Sequence, residues 1–421
     1  MVRRGSSLTT TWLAALAAVS TTVAIAQTAL AAPADTAPGA VVSEFYTPPS
    51  PLPGAQAGDV IRSRALTNDA ALPHAASNHL VLYRSTDING DPIAVSGTVA
   101  IPRGEAPAGG WPVISWTHGT TGTADVCAPS LNDVGYRDKD YVDRINKTLD
   151  RWVQLGYAVV KTDYQGSGTP GPHPYLNGES EARNAVDIVR AARALSDDLS
   201  TNWLVMGHSQ GGQAAWFTAG RGEAYAPELH LVGAVALAPA SHLEAIIQYF
   251  QAHADQPASP FLPLVLEGAA ASADTVNPQA LTTDAGQAVL KLAGERCLNG
   301  LRKPDALGDL TTAQFLKADA NYQPLYDVLD VFGGSEHVYP SVPLLVLQAT
   351  NDRIVPKVYT DQAVAKACNL GAPVDYRSYT IENADTPPEG HRGTVEASFE
   401  DARAWIAARF AGEAAEPNCS D

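Results

Sequence analysis

None of the four cysteines, Cys127, Cys297, Cys368 and Cys419, forms a C-x-x-C pair with another. The spacing of a structural zinc site is therefore missing. Four thiols in an oxidising compartment can instead close two disulfides, in any of three pairings. The chain of 421 residues has no low-complexity tract and no internal repeat. After the first stretch no second long apolar run follows, so no membrane-spanning segment is expected. Basic residues are scarce: 28 Lys and Arg against 45 Asp and Glu give a formal net charge of −17. That argues against nucleic acid or an anionic membrane as partner, and it favours a soluble protein with a neutral substrate. A monomer is the expectation.

What is present begins with an export signal. Arg3 and Arg4 precede the apolar "WLAALAAVSTTVAIAQTAL", and small residues offer cleavage after Ala31 or, second, after Ala26. Removing residues 1–31 deletes two arginines and no acids, which takes the charge from −17 to −19. A secreted protein, extracellular or periplasmic, is expected. Residues 32–61 read as an N-terminal arm, rich in Pro, Ala and Gly through "YTPPSPLPGAQAGD" and either lying on the surface or disordered.

"HLVLYRST" and "PIAVSGTVAIP", split by "DING", predict an antiparallel hairpin. Strands and helices then alternate. "WPVISWTHG", "YAVVKTDYQG", "WLVMGHS", "LVGAVALAP", "PLLVLQAT" and "VDYRSYTI" are strand runs, and "ESEARNAVDIVRAARAL" places Ala185, Ile188, Val189 and Ala192 on one helical face. "GGQAAWFTAGRG" and "TVEASFEDARAWIAARF" are helical as well. Such alternation predicts an α/β fold with a mostly parallel, doubly wound sheet. It breaks once, over 240–338, where helical pieces occur without a convincing strand. "SHLEAIIQYFQA" aligns Leu243, Ile246, Ile247 and Phe250, and "NPQALTTDAGQAVLKLAGERC" starts with an Asn cap and Pro at the first helical position. This segment is expected to form an inserted helical cap between two core parts, 62–239 and 339–421.

The chemical signal is "WLVMGHSQGGQAAW". An apolar strand run ends in Gly-His-Ser-Gln-Gly and continues as a helix, so Ser209 stands at a turn where glycine permits sharp backbone geometry. G-x-S-x-G alone is weak in a glycine-rich chain. A serine nucleophile on a doubly wound sheet needs an acid and then a base later in the chain. Asp352 follows the strand run "VPLLVLQATN", where sites form in open sheets. His391 in "PPEGHRGT" is the one histidine after it, expected in a loop before the final helix. Glu382 and Asp385 are rival acids, ranked lower because they share the histidine's own loop. For the oxyanion, the expected donors are Gln210, at the start of a helix, and Thr120 in "SWTHGTTG", with Thr121 next. His118 is excluded as base by chain order and is expected to be structural.

Taken together, "PVISWTHGTTGTADVCAPS", "TDYQGSGTPGPHPYLNG", "GHSQGGQAAW" and "NDRIVP" resemble the secretory lipases, the α/β-hydrolase family typified by fungal lipase A. The resemblance runs from about Arg62 onward. It implies an α/β-hydrolase core, a helical lid inserted before the acid, and a triad of Ser209, Asp352 and His391 acting on small-molecule or lipid carboxylic esters. It implies no metal and no organic cofactor. It also favours a bond between Cys127 and Cys297, which would tie the oxyanion loop to the cap; Cys368 with Cys419 would then pin the C-terminal tail. A serine peptidase on the same fold and a non-catalytic lipid- or glycan-binding module are the alternatives.

Overall fold

The computed structural model describes residues 43–419; the expected signal peptide and the start of the arm lie outside the described residues. Nine strands form one sheet: β1 Val60–Ala65, β2 Ser77–Thr86, β3 Pro92–Ile101, β4 Trp111–Thr117, β5 Ala158–Thr162, β6 Leu199–His208, β7 His230–Leu237, β8 Leu344–Ala349 and β9 Val374–Tyr379. Their order is β1-β2-β3-β5-β4-β6-β7-β8-β9. The first three are antiparallel neighbours and β3 meets β5 antiparallel, whereas β5, β4, β6, β7, β8 and β9 run parallel. Residues of β5 and β8 are buried throughout, as expected for strands covered on both faces.

Helices α1 Lys139–Gln154, α2 Gly178–Leu195 and α3 Gln210–Tyr225 alternate with these strands. One core unites Val113, Val160, Val205 and Val346 of the sheet with Ala185, Ile188 and Val189 of α2 and Trp216 of α3. Side chains that alternate to the other side, such as Ile114, Trp116, Leu204, Met206 and Leu345, build a second core with Leu149 and Trp152 of α1. Each such fully buried apolar side chain contributes about 1.5–3 kcal/mol.

Between β7 and β8 come seven helices: α4 Leu243–Ala252, α5 Phe261–Ser272, α6 Pro278–Leu281, α7 Asp284–Ala293, α8 Leu298–Leu301, α9 Thr312–Phe315 and α10 Gln323–Gly333. They share a core of their own, including Leu243, Ile247, Leu262, Leu290, Phe315 and Leu329, which closes on Tyr175 and Leu176. After β8 follow α11 Lys357–Asn369, α12 Pro387–Ala397 and α13 Phe399–Phe410. Two disulfides join Cys127 to Cys297 and Cys368 to Cys419.

Two expectations need correction. The arm does not simply lie on the surface: Tyr46 is buried and bonds Ser130 Oγ at 2.9 Å, and residues 60–65 form the edge strand β1. In "NPQALTTDAGQAVLKLAGERC" Asn277 caps the first helix and Pro278 opens it, as expected, and the Thr283 side chain caps a second start by accepting from Gly286 N–H. His391 stands inside α12 rather than in a loop; Pro387 opens that helix, where its missing N–H is not needed.

Candidate active site

Ser209 sits between β6 and α3 with φ 62° and ψ −119°, left-handed backbone that costs a non-glycine residue about 1–3 kcal/mol. The neighbouring glycines explain how this turn is held. A Cβ on Gly207 would stand 2.0 Å from Thr117 Oγ1, and one on Gly211 would stand 1.9 Å from the Thr117 carbonyl oxygen. Only glycine lets α3 start this close to β4. Backbone bonds fix the turn from both sides: Ser209 N–H donates to Leu237 O at 2.9 Å and Ala240 N–H donates to Ser209 O at 3.2 Å. The Ser209 side chain does not cap its helix.

Asp352 follows β8 and is buried. Its Oδ1 accepts from Ile354 and Val355 N–H at 2.8 and 2.9 Å, and its Oδ2 accepts from Gln348 Nε2 at 3.1 Å and His391 Nδ1 at 2.7 Å. That last bond places the imidazole proton on Nδ1. His391 Nε2 is buried and has no hydrogen-bond partner, and His391 and Ser209 line the same small cavity. The chain order Ser, Asp, His thus brings the three residues to one end of the parallel strands.

The loop after β4 lies beside the turn because Thr117 pairs with Gly207 in the sheet register. Thr120 lines the cavity, and its hydroxyl shares a hydrogen bond of 2.7 Å with Tyr175 Oη. Thr121 is more deeply buried and its carbonyl accepts from Leu298 N–H of α8 at 2.8 Å. Gln210 is the first residue of α3, a position whose N–H has no intrahelical acceptor. Its side-chain amide donates to Glu181 Oε1 at 2.8 Å and to His173 Nε2 at 3.4 Å. Burial pushes Glu181 up to about 8 and lowers His173 to about 4, so near neutrality both are uncharged. His118 is likewise lowered to about 4 by burial and bonds the Gly119 carbonyl at 2.8 Å, a structural role. Among the described residues the carboxylate partner of His391 is Asp352, and neither rival acid, Glu382 or Asp385, bonds it.

Residues 146–418 match the family model described as Secretory lipase. The chain belongs to the secretory lipase family. It is 26% identical over 394 residues to Secreted triacylglycerol lipase LIP4 of Malassezia globosa, covering 90% of this chain and 82% of that protein. Candida antarctica lipase A shares the fold with a TM-score of 0.72 at 22% identity, over 90% of this chain and 88% of that one. The rice cell wall degrading esterase LipA from Xanthomonas oryzae gives a TM-score of 0.67 at 21% identity, over 83% and 98%. This secretory lipase is a secreted carboxylic ester hydrolase with the α/β-hydrolase fold.

Several residues of the secretory lipase site escaped the reading of its sequence. Tyr141 in α1 places its hydroxyl between two elements: it accepts from Gly119 N–H at 3.1 Å and donates to His208 Nδ1 at 2.9 Å. His208 Nε2 then donates to the His391 carbonyl at 3.2 Å. Burial, then the neighbouring His391, hold His208 well below the ordinary histidine range, so it stays neutral with one donor and one acceptor. One chain of bonds therefore links the loop after β4 to the helix of His391. Gln348 carried a signal, a lone amide in the apolar run of β8; Tyr141 carried none. Among the described residues no group of three His, Cys, Asp or Glu side chains is placed to hold a metal ion, and no helix is long and apolar enough to cross a membrane.

Proposed function

We propose that this secretory lipase hydrolyses acyl esters with Ser209 as nucleophile, His391 as base and Asp352 as the acid that orients it. The observation that carries this reading is His391, whose Nδ1 bonds Asp352 at 2.7 Å while its Nε2 stands unpartnered in the cavity shared with Ser209. His391 Nε2 takes the Ser209 hydroxyl proton as Oγ attacks the ester carbonyl carbon. The bond between them forms in the substrate complex, where catalytic contacts tighten. The carbonyl oxygen becomes an oxyanion, met by the N–H groups of Thr120 and Gln210 at the positive end of α3. His391 passes the proton to the departing alcohol, and water, activated by the same nitrogen, then releases the acid from the acyl-enzyme. Asp352 stabilises the imidazolium in both steps.

The acyl chain lies in a cavity of about 130 Å³ walled by Leu243, Ile246, Phe250 and Val265, which makes the inserted helices a cap over the site. An apolar chamber of this kind suits the acyl segment of a lipid ester next to its carbonyl, and the enzyme acts as a monomer without a metal or organic cofactor. The test is hydrolysis of p-nitrophenyl esters from acetate to palmitate. Ser209→Ala, Asp352→Ala and His391→Ala should each lower kcat/KM by about 10⁴-fold or more, with the triple variant little worse than Ser209→Ala because the three act as a unit. Full activity in His391→Ala would remove the assignment.

A further inference from the structure

Two cavities meet at Ser209 and share Thr120, Phe261 and Ile354. The rest of their walls differ. His391 lines only the smaller one, of about 30 Å³, and Gln210 only the larger, mainly apolar one, where Arg353 is engaged by the Ala384 and Asp385 carbonyls. The group that protonates a departing alcohol must reach its oxygen. On the function proposed above, from which this inference follows, the smaller cavity is therefore the alcohol side of the scissile bond.

That side is cationic. Arg302, just past α8 in the cap, and Arg392, next to His391 in α12, both line it. Arg392 is held in place, donating to Asp140 Oδ2 at 3.0 Å with its guanidinium 5.2 Å from the Tyr141 ring centre. Arg302 is half-buried and has a single hydrogen bond, to Asn299 Oδ1 at 3.4 Å; among the described residues no carboxylate stands within ion-pair distance of it. The other charged groups that face this corner are Asp138 and Asp140 at the start of α1, and Arg144, which is already paired with Glu389 and Glu396. Burial pushes the Asp138 carboxyl up to about 7. With Arg392 paired to Asp140, Arg302 is left with Asp138, half-ionised near neutrality, as its nearest remaining counter-charge. Withdrawing a cation from water without a counter-charge is costly to a fold, and a site that binds an anion removes that cost. The neighbouring Cys127–Cys297 bond and the Leu298–Thr121 bond hold this turn of the cap against the loop after β4.

We infer that the alcohol moiety of the preferred substrate carries an anionic oxygen group, a carboxylate or a phosphate, which Arg302 meets with Arg392 behind it. The net charge of −17 pointed to a neutral substrate, but that field is screened beyond about 8–10 Å, whereas this contact is made at short range. Guanidinium groups suit either anion because their donors form a planar fork.

The experiment compares three butanoyl esters: of glycolate, of 2-hydroxyethyl phosphate, and of methyl glycolate as the neutral counterpart. The readout is the ratio of kcat/KM for each charged ester to that for the neutral one, so that losses of folded enzyme cancel. Relative to wild type, this ratio should fall by roughly tenfold in Arg302→Gln and further in Arg302→Glu, persist in Arg302→Lys, and shrink with added salt. Whichever charged ester shows the larger change identifies carboxylate or phosphate as the group recognised. Ratios that are the same in wild type, Arg302→Gln and Arg302→Glu would overturn the inference. Hydrolysis that persists in Ser209→Ala would instead bring down the site assignment itself, and this inference with it.

Discussion

Replacing Tyr141 by Phe removes one oxygen atom and leaves two buried polar groups unpartnered, the Gly119 N–H and His208 Nδ1. Each such loss costs about 1–3 kcal/mol, so the substitution should destabilise the fold by about 2–4 kcal/mol once the easier burial of a phenyl ring is counted. In a chain of this size that corresponds to a fall of roughly 2–5 °C in Tm. The effect on turnover has a separate origin. His208 loses the bond that fixes its tautomer, so its hold on the His391 carbonyl at 3.2 Å weakens, and the loop of Thr120 loses its anchor at Gly119. The proposed base and oxyanion donors then drift relative to Ser209, and a misplacement of about 1 Å costs on the order of 10²-fold. Because both groups act in the transition state, the loss should appear in kcat with KM nearly unchanged. Steady-state kinetics on a butanoate ester and thermal unfolding measure the two effects. The double variant Tyr141→Phe with His208→Gln should be markedly less impaired than the sum of the single changes, since both break one chain of bonds. A Tyr141→Phe enzyme with wild-type Tm and kcat within twofold would refute the reasoning.

Glu181 predicts a pH dependence. Below its ordinary value of 4.5 the carboxyl is protonated in folded and unfolded chains alike, whereas up to about 8 only the unfolded chain releases the proton. Stability should therefore fall as pH rises through that window, and Glu181→Gln should flatten the slope of Tm against pH; equal slopes would count against the burial argument. Gly211→Ala puts a Cβ 1.9 Å from the Thr117 carbonyl oxygen, so it should cost at least about 3 kcal/mol and abolish activity, checked by denaturant unfolding and ester turnover. Phe250→Ala should enlarge the apolar cavity and shift the best acyl length upward while kcat/KM for acetate esters changes little; an unchanged length profile with a large drop in Tm would mark Phe250 as core only. The Cys127→Ser, Cys297→Ser pair opens a loop of 170 residues, for which loop-closure entropy gives an upper limit of about 5 kcal/mol. Activity should be lost at lower temperature than the sheet unfolds, as followed by far-UV circular dichroism.

Much of the candidate site was legible because its residues stand where local patterns end. Ser209 and Asp352 each follow an apolar strand run, and chain order alone separated His391 from nine other histidines. The alternation of strands and helices, and its interruption over 240–338, were readable for the same reason: burial on both faces leaves near-continuous apolar runs. What stayed hidden depends on distance across the fold. The Tyr141–His208 bond spans 67 positions and Gln210–Glu181 spans 29, and no local signal marks either partner. β1, "VIRSRA", was missed because an edge strand carries charged residues that interrupt its apolar pattern. The helical setting of His391 was readable in principle, since Thr386, Pro387 and Pro388 spell a helix start, but Gly390 and Gly393 disguised it. Arg302 could not be placed by sequence at all, because only the folding back of the cap sets it beside Arg392.

The bond from Cys127 to Cys297 also changes what a protease could do to this secreted protein. Asp255, Gln256 and Pro257 are exposed between α4 and α5, inside the loop that the bond closes. A cut there divides the backbone but releases nothing, since the piece bearing Ser209 stays covalently joined to the piece bearing Asp352 and His391. The nicked molecule would run as one species without reductant and as two with it. Outside the cell, where peptidases act and no chaperone repairs the chain, the three residues of the proposed triad would stay on one molecule after such a break.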